Sequence, residues 1–313
     1  MTRAFLFPGQ GSQAVGMGKP LADAFAAARE TFQEVDDALS QKLSRIMWEG
    51  PEADLLLTEN AQAAIMANAI AVVRVLEKEM GLNIALHARL VAGHSLGEYS
   101  ALCAAGAFTL ADTARLLKTR GLAMQSAVPV GEGGMTALIG AEIEQAEEVA
   151  KEAAAGGGTC VVANDNAPGQ VVISGTLDAL ARAGEIAKAK GIKRALPLPV
   201  SAPFHCPLMK PAADKMAQAL AAVTIRPLST PVLANVTASE ANDPETVRRL
   251  LVEQVTGRVR WRESILSLKS LGVDTTVEFG NKVLTGMVKR IDKDLATITL
   301  ETPADLEAFG KSL

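Results

Sequence analysis

Apolar positions in this chain recur at two spacings, and the changes between them mark out its elements. Residues 3–7 (RAFLF) form a short, nearly continuous apolar run that stops at PGQGSQ, the pattern of a buried strand ended by a turn. From Pro20 to Leu39 the apolar residues return at helical spacing, and they do so again from Asn60 to Met80, an Ala-rich stretch closed by Gly81. Leu90–Ala92 is a second short apolar run, which passes through GHSLG into helical character at Glu98–Ala105. Thr109–Met124 reads as another helix, with Thr109 placed to cap its N-terminus.

The texture changes near Pro129. After the flexible GEGG at 131–134, the pattern predicts a strand at Met135–Gly140, a helix at Ile143–Ala155, and a hairpin of Thr159–Ala163 with Gln170–Ser174 around NDNAPG. A helix at Leu177–Lys190 and a strand at Lys193–Leu198 complete a β-α-β-β-α-β order, which fits a ferredoxin-like unit. Beyond Pro199 the helix-and-strand alternation returns, with strands expected at Pro231–Val236 and Thr275–Phe279. The expected fold class is therefore α/β. A large hydrolase-like domain with a parallel central sheet, residues 1–128 and 199–313, is interrupted by a small α+β subdomain at 129–198.

Composition narrows the function classes. The 313 residues are 49% hydrophobic and 21% charged, an ordinary globular balance, but only 4% aromatic. A formal net charge of −4 and few aromatic platforms argue against nucleic acid as a partner. No stretch approaches the length of uncharged apolar sequence that spans a bilayer, and MTRAFLFPGQGSQ does not read as an export signal. The three cysteines, Cys103, Cys160 and Cys206, are too few and too scattered for a disulfide framework or a zinc cluster. A cytoplasmic enzyme without a membrane partner or a bound metal is the expectation.

Gly93-His94-Ser95-Leu96-Gly97 matches G-x-S-x-G, and it stands between a predicted strand and a predicted helix. That context lifts a serine side chain off the strand end and faces it with the N–H groups of the helix. The competing reading is a Gly-bracketed turn with a serine cap. A serine hydroxyl needs a base, and the chain has three histidines. His94 adjoins Ser95 at a tight turn, and His87 lies in the connection before the strand. His205, held between Pro203 and Pro207 in SAPFHCPLM, is favoured by elimination. No carboxylate near it suggests a third triad member. Cys206 reads as packing, and Arg120, from the residues alone, reads as a helix-ending cation with Gly121 as the cap.

Six segments, in order and over nearly the whole chain, resemble one family. They are FPGQGSQ (7–13), GHSLGEYSA (93–101), the RG-x-x-MQ run (120–125), NDNAPGQVVISG (164–175), PVSAPFHCPLM (199–209) and VRW (259–261). The family is that of the malonyl-CoA:acyl-carrier-protein transacylases, with the related acyltransferase domains of polyketide synthases. The resemblance implies a ping-pong reaction. Ser95 takes malonyl from coenzyme A as an ester and yields it to the phosphopantetheine thiol of an acyl carrier protein, with His205 as base and then acid. It implies that the backbone carbonyl of Gln254 orients His205, with Asn235 supporting the same corner. The backbone N–H groups of Gln10 and Leu96 would form the oxyanion hole. Arg120 would grip the malonyl carboxylate with a two-pronged guanidinium, and Phe204 and Met124 would bound the acyl pocket. Malonyl-CoA and an acyl carrier protein are then the partners, coenzyme A thioester is a substrate, and no cofactor is implied.

Two other functions share some of these features. An esterase of the α/β-hydrolase kind would have the same serine turn, but its histidine lies near the chain end, whereas roughly a hundred residues follow His205 here. A non-catalytic module that binds carrier proteins would have no use for the Ser95 and His205 pair. Residues 245–262 carry five arginines (Arg248, Arg249, Arg258, Arg260 and Arg262) against Glu245 and Glu253. They read either as a solvated helix face or as a docking surface for an acidic carrier protein.

Overall fold

The computed structural model describes residues 1–200 and 202–313. Among the described residues ten strands, numbered in chain order, form two sheets. The larger contains β1 (Arg3–Phe7), β2 (Leu90–Gly93), β7 (Val232–Ala234), β8 (Ser239–Ala241), β9 (Thr275–Phe279) and β10 (Ala296–Leu300), in the order β10-β9-β1-β2-β7-β8. All neighbours are parallel except the β7–β8 pair. Alternate side chains leave a strand on opposite faces. Phe5, Phe7, Val91, Val232, Val277 and Phe279 accordingly enter a core shared with the Thr58–Met80 helix. Ala4, Leu6, Leu90, Ala92 and Leu233 pack on the other side with Trp261, Ile265 and Leu268 of the Trp261–Ser270 helix. Both faces are covered, which is why β1 and β2 read as unbroken apolar runs.

The smaller sheet is antiparallel and contains β3 (Gly133–Ile139), β4 (Cys160–Ala167), β5 (Gln170–Thr176) and β6 (Arg194–Pro197), in the order β4-β5-β3-β6. This is the ferredoxin-like strand order expected from the pattern. The same alternation divides its faces. Leu138, Val162, Val171 and Ile173 bury against the Ile143–Ala155 and Leu177–Ala189 helices. Met135, Ala137, Ala163 and Val172 turn towards the main core instead.

Three expectations need correction. The Pro20–Leu39 segment is two helices, Lys19–Ala24 and Ala26–Leu39, because Phe25 is extended (φ −124°, ψ 131°) and caps both. The hairpin turn is far shorter than NDNAPG: β4 runs through Asn164, Asp165 and Asn166, with register shifts on either side of Asn164–Asp165, and turns at Pro168–Gly169. The polar residues that suggested a loop are buried in a strand, where Asp165 meets Arg262 and Asn166 meets His94. Finally, Arg120 and Gly121 end nothing. Their helix runs from Leu110 to Ser126, and Gly121 lets it approach the Thr58–Met80 helix so closely that a Cβ there would lie 2.5 Å from the Glu59 Cα. The expected Thr109 cap is present, its hydroxyl accepting from the Asp112 N–H.

Candidate active site

Ser95 stands between the C-terminal end of β2 and the Gly97–Ala104 helix, in a left-handed conformation (φ 54°) that a serine holds only where its surroundings force it. The two glycines supply the forcing. A Cβ on Gly93 would lie 1.9 Å from the Gly97 carbonyl, and one on Gly97 would lie 2.2 Å from the Phe7 carbonyl oxygen. The turn is thus pressed against the end of β1, whose Phe7 carbonyl also accepts the His94 N–H at 3.0 Å.

His205 also has a positive φ (56°), in the segment before the Lys210–Ala221 helix. Its Nε2 lies 2.7 Å from the Ser95 Oγ and its Nδ1 2.8 Å from the Gln254 carbonyl oxygen. A carbonyl can only accept, so the ring proton sits on Nδ1 and leaves Nε2 free to take a proton from serine. Burial, and then the nearby Arg120 charge, push the His205 pKa down to about 3, against the opposing pull of the Gln254 carbonyl. The imidazole is therefore neutral at pH 7.

Arg120 is fully buried, and its terminal nitrogens donate to Gln62 Oε1 (2.7 Å), Gln254 Oε1 (2.9 Å) and Ser95 Oγ (3.1 Å). Its charge lies over the Tyr99 ring at 5.7 Å. No carboxylate is among these partners, and among the described residues the buried Nε has no hydrogen-bond partner. The guanidinium is thus hydrogen-bonded only to neutral acceptors, with the buried Glu98 carboxyl facing it without a direct bond.

The remaining expected residues surround this centre. Asn235, at the end of β7, accepts the Ser95 N–H on Oδ1 (2.7 Å) and donates through Nδ2 to the Gly93 carbonyl (2.7 Å). Leu96 caps the helix behind Ser95. Gln10 lies in the loop after β1, with its side-chain amide on the Thr58 hydroxyl at 3.3 Å. That loop abuts the turn, since a Cβ on Gly9 would lie 2.6 Å from the His94 carbonyl oxygen. Met124, one turn beyond Arg120, receives the Gln62 amide at its sulfur (3.9 Å), and Phe204 is buried in the main core.

Residues 4–290 match the acyl transferase domain family. The malonyl CoA-acyl carrier protein transacylase of Bacillus subtilis is 45% identical over 99% of this chain and 96% of its own length. This chain belongs to that family. The acyl-carrier-protein-S-malonyltransferase of Bartonella henselae superposes with a TM-score of 0.97 at 55% identity, covering 100% of this chain and 99% of that one. A malonyl-transacylase solved in complex with its type II PKS acyl-carrier protein gives 0.95 at 41% identity, with 100% of each chain covered.

Within this family member, three residues that sequence reasoning passed over complete the site. Gln62 and Glu98 are buried, Gln62 on the Thr58–Met80 helix and Glu98 just after Ser95. Neither stands out locally, since Gln62 comes shortly after Thr58-Glu59-Asn60 and Glu98 lies among Ser95, Tyr99 and Ser100, so no pattern along the chain marks them as buried. Asn166 accepts from His94 Nε2 at 2.8 Å, and His94 in turn sits edge-on to Trp261. His94 thus faces the small sheet rather than Ser95.

The five arginines of 245–262 do not form a free basic surface. Arg248, Arg249 and Arg260 pair with Glu245, Glu253 and Glu263 on their own helices. Arg258 reaches Glu147 at 2.7 Å, and Arg262 reaches Glu142 and Asp165, both at 3.0 Å. These last two arginines fasten the small sheet and its helix to the main body. Backbone bonds between Val259 and residues Ala163 and Asp165 reinforce the same joint. Among the described residues no cluster of three or more His, Cys, Asp or Glu is arranged to hold a metal, and no helix is long and apolar enough to cross a membrane.

Proposed function

We propose that this chain transfers a malonyl group from malonyl-CoA to the phosphopantetheine thiol of an acyl carrier protein through an ester on Ser95, supplying fatty-acid synthesis in the cytoplasm. The observation that carries this reading is the meeting, at one serine oxygen, of a neutral histidine base at 2.7 Å and a buried guanidinium, otherwise bonded only to neutral acceptors, at 3.1 Å.

In the first half-reaction Ser95 Oγ attacks the thioester carbonyl while His205 Nε2 takes its proton. The Gln254 carbonyl steadies the imidazolium through Nδ1–H. The Gln10 and Leu96 N–H groups hold the oxyanion. Collapse breaks the C–S bond, and His205 returns the proton to the departing coenzyme A sulfur. In the second half-reaction the carrier-protein thiol gives its proton to His205 and attacks the ester, and Ser95 leaves as the hydroxyl. The coenzyme A thioester is a substrate throughout, and no cofactor takes part. Arg120 binds the malonyl carboxylate. Because its charge is the second cause of the low His205 basicity, an arriving carboxylate also makes that histidine a stronger base. Phe204 and Met124 bound the acyl pocket, with Phe204 leaving little room for an α-methyl group. A catalytic body of residues 1–128 and 199–313 carries a subdomain of residues 129–198, which has its own apolar core.

The test is intact mass after mixing with malonyl-, acetyl- or methylmalonyl-CoA, for wild type and Ser95→Ala. A malonyl adduct confined to wild type and discharged by holo acyl carrier protein is the expected result. An adduct that water removes as fast as it forms would make the chain a hydrolase.

A further inference from the structure

We infer that Glu98 is a positioning residue for this transfer, one buried carboxylate oxygen joining the clamp on the nucleophile to the clamp on the base. The inference rests on the roles proposed for Ser95 and His205. Glu98 is 2% exposed and its hydrogen-bond donors among the described residues are neutral, an unfavourable place for a carboxylate unless its oxygens are well used. Its Oε2 accepts two bonds, from the Asn235 backbone N–H (3.0 Å) and from the Gln254 side-chain Nε2 (2.9 Å).

Each partner leads directly to the reacting groups. Asn235 spans the serine turn, holding the Ser95 N–H and the Gly93 carbonyl. Gln254 presents its carbonyl to His205, its Oε1 to Arg120, and its Nε2 also to the Ser95 carbonyl at 3.0 Å. The end of β7 and the Pro244–Thr256 helix are separate elements; Gln254 Nε2 reaches Asn235 Oδ1 directly only at 3.5 Å, and the Glu98 oxygen ties both, at 3.0 and 2.9 Å, to the helix that follows the nucleophile. Burial pushes its pKa up to about 7 against the pull of these two donors and of Arg120, the cation facing it from the Leu110–Ser126 helix. Tyr99, next to it on its own helix, is pushed above the ordinary tyrosine range, first by burial. The bland alternative is an acidic residue in the first turn of the Gly97–Ala104 helix, stabilising that helix through its dipole and nothing more.

The two readings separate in the rate per active site. Malonyl-Ser95 formation is followed by quenched-flow mass spectrometry at saturating malonyl-CoA, with active sites counted by a fluorophosphonate. Glu98→Ala should lower the acylation rate constant per site by about 10²-fold, the effect of an ångström of misalignment, with KM changed less than ~3-fold. Glu98→Gln keeps an acceptor oxygen for both donors and should stay within ~5-fold of wild type. The downfield proton resonance of the His205 Nδ1–H, assigned by its loss in His205→Ala, should shift or broaden in Glu98→Ala and persist in Glu98→Gln. Should Glu98→Ala not fold, Glu98→Asp, which withdraws the oxygen by one methylene, carries the same expectation. A Glu98→Ala or Glu98→Asp enzyme with an unchanged rate per site and only a lower melting temperature overturns the inference. So does a Glu98→Gln enzyme as slow as Glu98→Ala. If instead wild type forms no malonyl adduct, the transfer reading itself has failed.

Discussion

Replacing Arg120 by Ala removes a buried guanidinium whose three hydrogen-bond partners, Gln62, Gln254 and Ser95, are all neutral. Buried Glu98 faces it without a hydrogen bond, and in the proposed role the malonyl carboxylate is its direct ionic partner. Truncating one member of a desolvated, hydrogen-bonded charge pair costs about 2–5 kcal/mol, and each ~1.4 kcal/mol is a factor of ten in rate. Malonyl kcat/KM should fall by roughly 30- to several-thousand-fold. Acetyl-CoA has no carboxylate to lose. For it, the variant frees the Ser95 Oγ from the 3.1 Å bond and lifts one cause of the low His205 basicity, so acetylation should hold or rise. Arg120→Lys keeps a charge but not the planar fork, and should fall between. The assay is the rate of acyl-Ser95 formation from each thioester by rapid quench and intact mass. A melting curve accompanies it, because the truncation also leaves two glutamine oxygens without their donor. A malonyl-to-acetyl ratio unchanged in a folded Arg120→Ala enzyme would refute the assignment.

Gly97→Ala would set a methyl group 2.2 Å from the Phe7 carbonyl oxygen, so this change should cost at least ~3 kcal/mol in urea unfolding, or displace the turn and abolish acylation; a stable, active variant would show that the turn has room. Arg258→Glu sets like charges against Glu147 at the joint between the small sheet and the main body, and should slow acylation and carrier-protein discharge by the same factor, whereas loss confined to discharge would make residue 258 a docking cation. Stability should respond to pH with two opposing signs. The His205 pKa falls from 6.5 to about 3 on folding, so its contribution is lost as pH drops through that window; the Glu98 pKa rises from 4.5 to about 7, so its contribution is lost as pH climbs through its own. Between pH 4.5 and 6.5 the two offset each other, and Glu98→Gln should make the acid-side loss steeper in urea titrations; an unchanged slope would contradict the burial argument.

Much of the architecture was legible because burial writes a periodic signature. The alternation Val171, Val172, Ile173 announces a strand with two covered faces, and the structure sends Val172 to one core and its neighbours to the other. The serine turn was legible because it is local: five consecutive residues carry its glycines, its strain and its helix N-terminus. NDNAPG misled for a physical reason. Asn164, Asp165 and Asn166 look like turn formers in sequence, yet β4 runs through them because bonds arrive from outside the strand: the Val259 carbonyl accepts the Asp165 N–H, Arg262 donates to the Asp165 Oδ2 and His94 to the Asn166 Oδ1.

What the sequence determined by itself, then, is what short-range sterics and the face of an element that avoids water set: most of the strands and helices, and the elbow that strains Ser95. Tertiary structure alone decided which distant polar groups meet. That Gln254 serves Arg120 with its amide as well as His205 with its carbonyl, that Glu98 bonds both Gln254 and Asn235, and that Arg258 and Arg262 fasten the small sheet and its helix to the main body are consequences of packing. Periodicity records that a residue is buried, and a buried polar group must find a partner, but nothing local says from which part of the chain that partner comes.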